Sequence, residues 1–266
     1  MQITPTKRIS AFLLSMLSPV LQKSVCGGFR ESAARRVELA DVEPASFQRV
    51  LDLWCGRESV VFESVRQLMR TTALAERFQV AEVKAVLEDA LLDQLSVGNC
   101  AEALTESREL GLGRVEAAAE RFVIARFEEV AGTEGFLRLG AAEVGRLLDA
   151  DELDAMCEER VLECVVRWME ARERAEGGME GAEARGLLGK VRFQHMQEAY
   201  LASEVARSVP PEHREWAKAA VAEALAVKLA AAEGRELPEL DCLEPRAASA
   251  RVMTRPPFFS TKPRFH

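Results

Sequence analysis

Apolar residues recur along this chain at helical spacing from its first segments to its last. Phe12, Leu13, Met16 and Leu17 lead into Ser18-Pro19, where a second helix opens. Proline suits that position because the N–H it lacks would be unpaired there in any case. Val20, Leu21, Ser24 and Val25 share one helical face, and Gly27-Gly28 predicts a left-handed cap that ends it. Val37 and Leu39 flank Glu38 with period two, the pattern of one short half-buried strand. Asp41-Val42-Glu43-Pro44 opens the next helix, with Phe47, Val50 and Leu51 as its stripe. Two further stripes follow: Val65, Leu68, Met69, Thr72 and Ala73, with Phe78 after a turn, then Val83, Val86, Leu87, Ala90, Leu91 and Leu95.

From Asn99 onward the pattern is helical throughout. Asn99 stands where it would cap Cys100–Leu110, whose inner face is Cys100, Ala103, Leu104 and Ser107. Gly111 and Gly113 separate that helix from Val115–Val130, which turns Ala118, Ala119, Phe122, Val123 and Phe127 inward. Short helices are expected over 133–139 and 141–148, and a long one over 158–174 with Val161, Cys164, Val165, Trp168 and Met169 inside. A Gly177-Gly178 loop leads to Leu187, Leu188 and Val191. Trp216, Ala220, Val221, Leu225 and Leu229 mark a last amphipathic helix. Beyond Glu244 there are five basic residues and no acidic one, and the proline-rich TRPPFFSTKPRFH is expected to be a flexible tail.

Composition sharpens this picture. Hydrophobic residues are 48% of the 266 and charged residues 29%, the balance of a globular chain. Abundant alanine, glutamate, leucine and arginine with a single tyrosine favour helix over sheet. A net charge of −8 argues against nucleic acid as a partner. The six cysteines form no CxxC pair, which fits reduced thiols and a cytoplasmic or nuclear location. No apolar run is long enough for a membrane span, and the apolar stretch at 11–21 reads as domain core rather than a signal peptide.

Catalytic chemistry finds little to stand on. His195, His213 and His266 are isolated, without metal-ligand spacing, and no cofactor is expected. Cys157 and Cys164 lie seven apart on one helical face, a packing pattern. The stretch Gly186-Leu-Leu-Gly189-Lys190 lacks the Ser/Thr of a phosphate loop and follows no strand. Glu158-Glu159 suits the start of a helix better than acid–base catalysis. The chain reads as a non-enzyme.

The segment SPVLQKSVCGGFRES…VELADVEPASFQRVLDLWCG resembles the core of a BTB/POZ domain, most of all that of the Kelch-like proteins. The resemblance lies in the Ser-Pro step, the Gly-Gly-Phe-Arg-Glu-Ser turn, the VxLxDVxPxxF passage and the closing aromatic-x-Gly, in that order. FLRLGAAEVGRLLDADEL, EERVLECVVRWMEARERA and LLGKVRFQHMQEAYLASEV resemble the BACK domain that follows BTB in those proteins. The resemblance implies a mainly α fold: a truncated α/β BTB/POZ domain with a small residual sheet over 1–97, then an all-helical BACK domain over 98–207, then a C-terminal helix and basic tail over 208–266. Two strands and a helix that usually open a BTB domain are not found upstream, and no repeat of propeller length follows.

The same resemblance implies a function. Phe29-Arg30-Glu31 matches the hydrophobic-x-Glu motif of cullin-binding BTB domains, with Phe29 as apolar anchor and Glu31 as orienting charge. A capping turn, with Phe29 folded back on the preceding helix, accounts for the same triplet. The helices over 97–130 would extend the cullin surface. The implied partners are a cullin-3-type scaffold, an unknown protein substrate, and a second BTB chain through self-association or pairing with relatives. The alternative is a BTB oligomerisation scaffold that binds no cullin.

Overall fold

The computed structural model describes residues 9–27, 37, 39, 41–57, 60–176 and 180–234. The described residues are mainly helical and contain no strand. The backbone clusters into two units, residues 1–120 and 121–266.

The first unit holds α1 (Ala11–Leu17), α2 (Pro19–Cys26), α3 (Pro44–Trp54), α4 (Val65–Arg77), α5 (Ala81–Asp93), α6 (Cys100–Glu109) and the start of α7 (Gly113–Ala125). Ser18 sits between α1 and α2, fully buried. Its Oγ accepts from the Leu21 N–H at 3.1 Å and donates to the Phe78 carbonyl at 2.6 Å. One hydroxyl therefore caps α2 and fastens it to the end of α4.

Sequence expectation and structure differ at several points here. Gly27 follows α2 at φ −82°, with its N–H bonded to the Lys23 carbonyl; Gly28, the other half of the expected left-handed cap, lies outside the described residues. The left-handed caps fall at Gly56 (φ 75°) and Gly111 (φ 70°), and also at Gln79 (φ 55°). At Gln79 the turn between α4 and α5 is closed by Val80 N–H to Ala75 O (2.9 Å) and Gln79 N–H to Glu76 O (2.9 Å), the double bond pattern that requires positive φ. Val37 and Leu39 carry no regular structure and Glu38 lies outside the described residues. A segment that short makes a strand only against a neighbouring ladder.

In α5, Val83, Leu87 and Leu91 are buried as the stripe predicts, but Val86 is exposed and Glu88 is buried in its stead. Lys84 (3.8 Å) and Arg114 (3.5 Å) flank the Glu88 carboxylate, which makes that burial tolerable. Asn99 precedes α6 but does not cap it with its side chain. It braces the turn instead: Oδ1 accepts from Ser96 N–H at 2.8 Å and Nδ2 donates to Gln94 O at 2.9 Å.

The second unit contains α8 (Phe127–Ala131), α9 (Glu134–Leu137), α10 (Ala141–Asp149), α11 (Glu158–Glu176), α12 (Gly181–Leu188), α13 (Glu198–Ser203), α14 (Val205–Ser208) and α15 (Arg214–Ala232). The single helix expected over 115–130 is interrupted at Arg126 (φ −135°, ψ 38°). The cause is a competing donor: Asp154 N–H bonds the Ile124 carbonyl at 2.8 Å, taking the acceptor the next turn would use. α11 is the spine of the unit, with Val161, Leu162, Val165 and Trp168 fully buried. Trp168 Nε1 donates to the Leu139 carbonyl at 3.1 Å.

Glu158 and Glu159 open α11 and are both buried. Glu158 accepts the Arg192 N–H at 3.1 Å and Glu159 the Gln197 N–H at 2.7 Å. They hold a distant loop rather than merely complementing their own helix. The phase expected for α15 also differs. Ala217, Ala224 and Val227 are buried, whereas Leu229 is exposed and Trp216 packs edge-on to Phe193 at 6.2 Å. Two of the three buried residues of this helix are alanines.

Burial pushes the Cys164 thiol up to about 11. From its ordinary value of 9.0 up to about 11 the unfolded chain gives up this proton before the folded chain does. The contribution to stability is thus whole below pH 9.0 and is lost as pH climbs through about 11. Across that window the melting midpoint of Cys164→Ala is expected to fall less than that of the parent chain, read by circular dichroism.

Candidate protein-interaction surface

Phe29 and Glu31, the two residues singled out as a docking motif, lie outside the described residues. The elements on either side of them are well tied. α2 is pinned through Ser18 to Phe78, and Phe47 of α3 meets the same Phe78 ring edge-on at 5.7 Å. Val50, on the same helix, is fully buried. Its neighbour Arg49 lies over the Phe62 ring at 5.8 Å. One guanidinium nitrogen of Arg49 is itself buried, with no hydrogen-bond partner among the described residues.

The surface expected to continue the motif is carried by α6 and the start of α7. Arg66 of α4 reaches both Glu102 and Glu106 of α6 at 2.6 Å. Desolvation raises the Glu106 carboxyl above the usual range, against the pull of Arg66. Arg114 of α7 binds Asp89 of α5 at 2.7 Å. These pairs sit on the surface and add little stability each, but they fix which faces meet. Glu102, Glu109, Arg114 and Ala117 remain exposed, and no large apolar side chain is exposed between 97 and 120 among the described residues. The face is polar and charged.

The largest exposed apolar side chains lie elsewhere. Phe12 is 70% exposed, Met16 59% and Leu13 45%, all on α1, where only Leu17 is buried. The reading of 11–21 as domain core therefore holds only for Leu17, Ser18 and Leu21. A seven-residue helix packed on α2 buries one narrow face and leaves uncovered the rest of a run that is apolar at every position but Ser15. The signal is present in the sequence: a run interrupted only by Ser15, where a helix covered on one side shows a stripe.

The stretch 186–190 lies at the end of a helix. Residues 181–188 form a helix, and Lys190 is ion-paired with Asp149. Among the described residues no group of three His, Cys, Asp or Glu side chains could hold a metal ion. No described helix is long and apolar enough to cross a membrane.

Comparison with known proteins finds two family matches along the chain. Residues 7–95 match the BTB/POZ domain family and residues 100–206 match BACK, "BTB And C-terminal Kelch". Kelch-like protein 30 of Homo sapiens is 34% identical over 158 residues, covering 59% of this chain and 27% of that protein. Kelch-like protein 41b of Danio rerio is 30% identical over 179 residues, covering 67% and 28%. Kelch-like protein 7 of Gallus gallus is 29% identical over 176 residues, covering 66% and 29%. The chain thus spans less than a third of the length of these relatives. It is a BTB–BACK protein with Kelch-like homologues.

Proposed function

We propose that this chain is a non-enzymatic interaction adaptor that recruits a protein substrate to a cullin-3-type ubiquitin ligase. The observation that carries the reading is the BTB match followed directly by the BACK match. The fold supports it: α6, which opens the BACK match, packs on α4 of the BTB match inside one unit. A partner can then read both matches as one surface. Phe29 supplies the anchor in this reading, Glu31 the orienting charge, and the exposed charges of α6 and α7 a polar margin. Catalysis by proximity asks no reactive group of the chain itself.

A Phe29→Ala/Glu31→Ala double variant tests it. Loss of an anchor of this kind weakens binding by about thirtyfold or more, the scale of a hot spot of about 2 kcal/mol. The measurement is retention of the cullin N-terminal region by the immobilised full chain. Unchanged retention removes this mechanism. A second reading, an oligomerisation scaffold without a cullin, is favoured by the exposed Phe12, Leu13 and Met16 of α1.

A further inference from the structure

We draw no further inference here: the strongest candidate, the apolar surface patch that Phe12, Leu13 and Met16 expose on α1, carries nothing because nothing in the structure shows what covers it.

Discussion

Trp168→Ala is expected to destabilise the second unit by about 3–5 kcal/mol, the range for removing a large aromatic from a core. Trp168 is the largest fully buried side chain described and lies at the middle of α11. Its removal opens a void that α9, α11 and the residues around Leu139 cannot close without moving. It also deprives the Leu139 carbonyl of its indole donor, now at 3.1 Å. Trp168→Phe separates the two effects: it keeps most of the volume and loses only the hydrogen bond, for about 1–3 kcal/mol. Urea unfolding followed by far-UV circular dichroism reads both. A midpoint for the alanine variant within error of the parent would show that Trp168 is not part of the core.

Ser18→Ala is expected to cost about 2–3 kcal/mol, because one atom serves two partners. Loss of the cap at Leu21 accounts for about 1 kcal/mol, and the Phe78 carbonyl left without its donor for about 1–2 kcal/mol. Pro19 still favours a helix start, so the damage falls on the link between α2 and α4 rather than on the helix itself. Ser24→Ala is the control. Its hydroxyl makes only a local bond to Val20 O at 3.3 Å, and a change within about 0.5 kcal/mol is expected. Equal effects for the two substitutions would mean that the bond to Phe78 contributes nothing.

The helices are legible in the sequence because their stripes are local. Spacing alone turns Val50, Leu68, Leu104 and Trp168 inward, and all four are buried. What cannot be read this way depends on groups far away in the chain. Glu88 is buried in place of Val86 because Arg114 arrives beside it. The break at Arg126 follows from a donor at Asp154. On α15 the buried residues are Ala217, Ala224 and Val227, whereas periodicity selects Trp216, Ala220, Val221, Leu225 and Leu229. Of the candidate site, the family motif at Phe29 and Glu31 is visible as a string of residues and lies outside the described residues.

The paired carboxylates at the start of α11 limit how this protein can be shortened. A fragment ending before Gln197 would keep Glu158 and Glu159 at the head of its longest helix yet remove the amide that engages Glu159, and one ending before Arg192 would strip both. Each of the two buried carboxylates would then lose a backbone amide that it accepts from, so the smallest autonomous piece of the second unit is expected to extend past residue 197.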